Sequence, residues 1–312
     1  MRLVRRRFSS LSGNLKGAAT IMLAALCFVV MTTLIKLAGG ADGSGLHVTQ
    51  ILFVRQVVMT LVVAPQIFHH FPGCLRTARM DLQLLRVVFA LVAMLAGFYA
   101  IIRLPLADAT ALAFVKSFFV TIFAIWFLGE TVGWRRWIAV VVGFLGVVVM
   151  MRPGTEGFDP MYLLVVVSAA AAGLVMVIIR KLSETDAPIT TLSYQAIFVG
   201  VAVAVPAWLY WQQPTLAQWA LMIAIGLTGF VAQRLNIQAY TWGEASVMAS
   251  LDYVRLLWAT LLGFAVFGNL PSAYTWAGAA IIVAAALYTV HRERRTAQAL
   301  VRSPDGRGFT NH

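Results

Sequence analysis

Residues 127–137, FLGETVGWRRW, and residues 266–276, VFGNLPSAYTW, share one outline. In each, an apolar run ends at a glycine, a short turn follows, and tryptophan opens the next apolar run. Gly129 falls on Gly268 and Trp137 on Trp276. Further upstream, LADATALA at 106–113 meets WGEASVMA at 242–249, pairing Asp108 with Glu244 and Thr110 with Ser246. AALCFVVMTTLIKLAG at 24–39 meets AAAAGLVMVIIRKLSE at 169–184, setting Met31 on Met176, Lys36 on Lys181 and Leu37 on Leu182. The same offset brings Gln50 to Gln195 and Phe53 to Phe198. Each match is weak alone. Their constant order along both halves argues for an internal repeat.

The composition says what is repeated. Of 312 residues, 61% are hydrophobic and 12% charged, and mean hydropathy is +0.84. A soluble domain carries about 25% charged residues. Apolar runs at 17–37, 48–68, 82–101, 109–128, 135–151, 161–180, 192–210, 217–238, 246–267 and 274–291 are each read as one membrane-spanning helix. They lack the alternation of barrel strands. Turn-rich joints such as GGADGSG, RPGTEGFDP and GNLPSA connect them, and no joint is long enough for a soluble catalytic domain. The expected fold is an all-α integral membrane protein of ten transmembrane helices in two five-helix repeats. Five is odd, so the repeats enter the membrane in opposite orientations, as in many carriers. Residues 1–16 form a basic N-terminus, 17–152 the first repeat, 160–291 the second, and 292–312 a basic tail.

The net charge of +12 is unevenly placed. Arg2, Arg5, Arg6, Arg7, Lys16, Arg76, Arg79, Arg135, Arg136, Arg180, Lys181, Arg292, Arg294, Arg295, Arg302 and Arg307 fall on one side of the ten-span arrangement. The other side holds Lys36, Arg103 and Arg152. The positive-inside rule therefore puts both termini in the cytoplasm, with the basic ends against anionic lipid of a bacterial inner membrane and not against nucleic acid. The start MRLVRRRFSS leads into an apolar run too long for a signal peptide and without an A-x-A site, so it reads as a retained first span. Cys27 and Cys74 lie on different levels and predict neither a disulfide nor a thiolate metal site.

On these residues the chain resembles the drug/metabolite transporter superfamily, specifically its EamA-type carriers, over nearly its whole length. The resemblance is carried by LPLADATAL with FLGETVGWRRWIAVVVGFLGVVVMMRPG, and by AYTWGEASVMASLDYVRLLWATLLGF. Arg55 also matches an arginine of that family. The resemblance implies alternating access around a cavity lined mainly by spans 1, 3, 4, 6, 8 and 9. One departure is Lys116 in FVKSFF, where many relatives have small or apolar residues and often proline.

Charges inside spans are the candidate site residues, because each costs about 2.5–3.5 kcal/mol at the bilayer centre on the insertion scale. They are Arg55, Arg86, Lys116, Arg234, Arg255 and the acid Asp252. Arg86 lies near a helix start and snorkels; Arg55 reads as structural. Aligning Asp108 on Glu244 puts Lys116 on Asp252, two positions related by the repeat axis, and Arg255 shares the Asp252 face. The expectation is a central trio of Lys116, Asp252 and Arg255. The alternative is a local Asp252–Arg255 bridge that only locks its helix. Gln233, Arg234 and Asn236 form a second polar cluster, read either as binding groups or as a wet helix end. Tyr99 and Tyr253 are placed to stack on an aromatic ligand.

The function classes narrow accordingly. No cofactor is called for: the close histidine pair, His69–His70, has no acid at ligand spacing, and there is no nucleotide-hydrolysing loop. An enzyme is therefore not expected. The reading is a secondary transporter of a small polar organic metabolite, with a non-transporting scaffold or receptor as the different-class alternative. Within the EamA-type carriers, DATALAFVKSFFVTIFAIWFLGE is similar to riboflavin importers, which implies riboflavin import. An S-adenosylmethionine carrier or an amino-acid or metabolite exporter is the alternative. Asp252 could carry a coupling proton if its pairing changes between states. One chain supplies both halves of a cavity, so a homo-oligomer is allowed but not required.

Overall fold

The structure, a computed structural model, describes residues 2–40, 45–129, 134–155, 158–243 and 245–302. Glu244, paired above with Asp108, and Arg307 of the basic tail lie outside the described residues. The first half of the chain forms α1 (Arg2–Gly39), α2 (Val48–His70), α3 (Met80–Arg103), α4 (Leu106–Ala113), α5 (Lys116–Leu128) and α6 (Trp134–Met151). The second forms α7 (Met161–Leu182), α8 (Pro188–Leu209), α9 (Leu216–Trp242), α10 (Ala245–Asp252), α11 (Val254–Phe267) and α12 (Ala273–Arg302). Among the described residues, eight helical runs are long and apolar enough to cross a membrane, with α4–α5 and α10–α11 each counted as one. The apolar parts of α6 and α12, Trp137–Met151 and Ala273–Tyr288, are shorter.

Local chemistry explains where these helices begin and end. Pro188 occupies the first turn of α8, where its missing N–H costs nothing. Thr215 and Gln218 close a reciprocal capping box at the start of α9. Gly129 and Gly268, aligned by the repeat, end α5 and α11 in the left-handed region at φ 67° and 68°, where a side chain would be strained. The end of α3 is capped from another helix. The Lys36 ammonium, buried near the end of α1, donates to the Leu104 carbonyl at 2.7 Å and the Ile102 carbonyl at 3.0 Å.

The halves do not form two separate bundles. The most extensive contacts pair α1 with α9, α3 with α7, α6 with α12 and α2 with α8, each joining one half to the other. Small residues permit the closest approach: a Cβ added at Gly278 of α12 would lie 2.2 Å from Met150 Cγ and 2.6 Å from the Gly146 carbonyl of α6. Along α2 and α8 the seam is polar. The Gln50 amide donates to the Gln212 carbonyl at 2.8 Å, and the Gln56 amide donates to the Gln195 carbonyl at 3.0 Å. Beyond the seam, fully buried Arg86 donates to the Thr191 carbonyl at 2.7 Å and to Gln195 Oε1 at 3.0 Å. This is a partnered arginine, where snorkelling was expected.

The loop between α7 and α8 is anchored by Asp186. Burial alone would push its carboxyl up, but hydrogen bonds from Thr77, Gln83, the Ala78 amide and Thr185 outweigh that and hold it below its ordinary value. A carboxylate held low in the folded state stabilises above its unfolded pKa and loses that contribution as pH falls through the folded value. We therefore expect Asp186→Ala to destabilise by about 1–3 kcal/mol at neutral pH, since it strands Gln83 and Thr77. Thermal unfolding in detergent at descending pH checks this: the gap between the two proteins should close in acid. A constant gap would argue against an ionised anchor.

Candidate functional site

Two helical runs are interrupted about two turns from their starts. Between α4 and α5, Val115 donates to the Leu112 carbonyl and Phe118 to the Val115 carbonyl, both at 3.0 Å. Between α10 and α11, Leu256 donates to the Tyr253 carbonyl at 3.0 Å. These are the tighter i→i−3 bonds of a 3₁₀ turn, which in mid-helix mark a hinge or a strained sequence. Lys116 is the first residue after one break, and Asp252 the last before the other.

Both face a cavity of about 600 Å³ walled by parts of α1, α3, α4, α5, α7, α9, α10, α11 and α12. Lys116, Asp252, Tyr253 and Arg255 all line it. Arg255 Nη2 donates to Asp252 Oδ1 at 2.7 Å, and the two side chains are 25% and 22% exposed, so the pair is half-buried with a wet edge. The Arg255 guanidinium lies 4.4 Å from the centroid of the Phe28 ring, within cation–π range. Tyr253 and Phe114 meet ring to ring at 4.5 Å and 49°. The cavity thus offers a bridged charge pair, aromatic faces, and the hydroxyls of Ser117 and Tyr240.

The expected trio is brought to one wall but not joined. Among the described residues no carboxylate lies within 4.0 Å of the Lys116 ammonium, and Asp252 pairs with Arg255. The reason is local, since Arg255 sits three residues on from Asp252, just across the break between α10 and α11. Lys116 is exposed, and the space it is exposed to is the cavity.

Four other candidates lie elsewhere. Gln233 and Arg234 are exposed on α9, and Asn236 is half-buried. The buried residues of that helix are Met222, Ile225, Gly226, Gly229, Ala232 and Ala239, a stripe that excludes Gln233 and Arg234. Tyr99 is 37% exposed on α3, with the Arg103 guanidinium 5.8 Å from its ring centroid, and it does not line the cavity. Arg55 Nε is buried without a hydrogen-bond partner, and the guanidinium lies 5.8 Å from the Phe98 ring.

Sequence reasoning missed two polar contacts that brace the site. One is the Lys36 cap already described. The other is Asp108, 4% exposed, whose Oδ2 accepts from the Tyr162 hydroxyl of α7 at 2.7 Å while Oδ1 is buried without a partner. The repeat had marked both residues, Lys36 against Lys181 and Asp108 against Glu244, without showing what they touch.

A double-mutant cycle tests the charge arrangement. Asp252→Asn and Arg255→Met should couple by about 0.5–3 kcal/mol in unfolding free energy, whereas Asp252→Asn and Lys116→Met should couple more weakly. Strong coupling to Lys116 would show an ion pair that the structure lacks.

Comparison with known proteins places this geometry. A family model described as the EamA-like transporter family matches residues 15–152 and 159–290. An S-adenosylmethionine uptake transporter of Rickettsia felis is 30% identical over 253 residues, spanning 81% of this chain and 86% of its own. A riboflavin transporter of Vibrio cholerae is 29% identical over 287 residues, spanning 90% and 95%. A pseudopaline exporter of Pseudomonas aeruginosa is 29% identical over 276 residues, spanning 87% and 94%. One solved protein crystal structure aligns with a TM-score of 0.56 at 17% identity, covering 89% of this chain and 99% of its own, which shows a shared fold.

Proposed function

The chain belongs to the EamA-like transporter family, and from that premise we propose that it imports riboflavin across a bacterial inner membrane by alternating access. It is a multi-pass membrane transporter and not an enzyme. The finer reading has ten spans in two inverted five-helix repeats, with both termini in the cytoplasm. The matched glycine caps of α5 and α11 support it, as do the breaks before Lys116 and after Asp252.

The observation that carries the proposal is the cavity itself, lined in part by aromatic rings and by one cation without a carboxylate partner among the described residues. An isoalloxazine ring stacks on Tyr253 and Phe114. Its imide carbonyls and ribityl hydroxyls accept from Lys116 and bond the hydroxyls of the wall. With Asp252 bridged to Arg255, the three groups carry one net positive charge, which suits a neutral or anionic ligand better than a cation. Transport coupled to a proton would need Asp252 to leave Arg255 in one of the two states.

S-adenosylmethionine uptake is the second reading. It is favoured by the likeness to the Rickettsia felis protein and by the cavity-facing rings of Phe28 and Phe114, which can take a sulfonium.

The test is uptake of riboflavin by a riboflavin auxotroph expressing the protein at low external vitamin, beside Lys116→Met. Wild type should restore growth, and the variant should lose roughly tenfold in uptake, equivalent to about 1.4 kcal/mol. If membrane-inserted wild type gives no uptake above vector, riboflavin falls. Labelled S-adenosylmethionine in the same cells then decides the second reading.

A further inference from the structure

Among the contacts that join the halves, two differ sharply in how much polar bonding holds them. The α2–α8 seam is bonded along its length. Near one end, Gln50 and Gln212 exchange two hydrogen bonds, at 2.8 and 3.2 Å. At mid-length, Gln56 and Thr60 donate to the Gln195 and Ala196 carbonyls at 3.0 Å. Past the other end, the Tyr194 hydroxyl donates to the Leu75 carbonyl at 3.1 Å, and Gln83 donates to Asp186 at 2.8 Å. Separating these helices anywhere would strand buried polar groups, each costing about 1–3 kcal/mol.

Where α4 meets α7 the polar tie is smaller. The first turn of α4, whose next residues Ala109 and Thr110 line the cavity, is held to α7 by the Tyr162–Asp108 hydrogen bond. Thr275 of α12 lies alongside the same carboxylate, and its hydroxyl is shared with Ser272 at 3.0 Å. Arg152, at the end of α6, stacks on Tyr274 at 4.7 Å with its backbone at φ 47°, a conformation that costs a non-glycine residue on the order of 1 kcal/mol or more. Asp108 Oδ1 and Arg152 Nε are both buried without partners. The corner is closed but not fully bonded, so opening it would free two unsatisfied groups to water.

We propose that the α2–α8 seam is the fixed axis of the carrier and that the Tyr162–Asp108 contact is the latch that closes one mouth of the cavity. The inference rests on the carrier reading for its meaning, but its geometry can be tested without a substrate. Opening toward the latch parts α4 from α7 and α12, while α2 and α8 stay joined. The 3₁₀ turn before Lys116 allows α4 to swing without carrying α5.

The experiment places a single reporter thiol, Thr110→Cys, on the cavity wall in a Cys27→Ser, Cys74→Ala background. A membrane-impermeant maleimide is applied to right-side-out and to inverted vesicles. Tyr162→Phe, which removes only the hydroxyl, should raise labelling from one side several-fold, and Asp108→Asn should do so less because its amide keeps an acceptor. Gln56→Leu, which cuts the seam at mid-length, should not raise it. Equal labelling of Tyr162→Phe and its parent, in protein that stays monodisperse in detergent, overturns the latch. A rise with Gln56→Leu as large as with Tyr162→Phe overturns the distinction between axis and latch. Neither result depends on which metabolite is carried.

Discussion

The Lys36 ammonium holds the end of α3, and much of the site follows from that one contact. A backbone carbonyl at a helix end that is buried away from water needs a partner. Lys36 supplies it from α1, donating to the carbonyls of Ile102 and Leu104. This fixes where α3 stops and therefore where α4 starts, at Leu106 after Pro105. With that start fixed, Asp108 falls opposite Tyr162 and the break before Lys116 falls at the level of the cavity. The charge is dear to bury, yet it serves both carbonyls at once and leaves neither bare.

The cavity obeys a different rule. Its polar content is concentrated at two interrupted helices, the places where backbone geometry lets side chains of opposite character stand close without crowding a continuous helix. One interruption carries a pair that neutralises itself, and the other a cation that does not. The remaining wall is mostly small and aliphatic, with the rings of Phe28, Phe114, Phe118 and Tyr240 set into it. A cavity of this mixed character is made functionally intelligible by the transporter family to which the chain belongs.

Sequence reading reached the helices closely, because apolar length is written directly into composition. Spans expected at 48–68 and 161–180 appear as Val48–His70 and Met161–Leu182. It also put Lys116, Asp252, Tyr253 and Arg255 near one another, through the offset between repeats. It could not tell which of two cations Asp252 would choose, since that depends on side-chain reach across a broken helix. Sequence left the polar run around Arg234 with two readings for a related reason: a cluster in sequence is spread around a helix, and the inward stripe of α9 passes beside Gln233 and Arg234. The roles of Lys36 and Asp108 were invisible because their partners are a carbonyl and a tyrosine far along the chain. No local pattern announces such a partner.

The interleaving of the halves has a consequence for how the protein is made. The principal neighbour of α1 is α9, and that of α6 is α12. As the chain leaves the ribosome, the first half enters the membrane with its packing faces uncovered and stays so until the second half is synthesised. Contacts this distant in sequence slow assembly and lengthen exposure to wrong partners. The nascent first half is therefore a set of inserted helices waiting for a template.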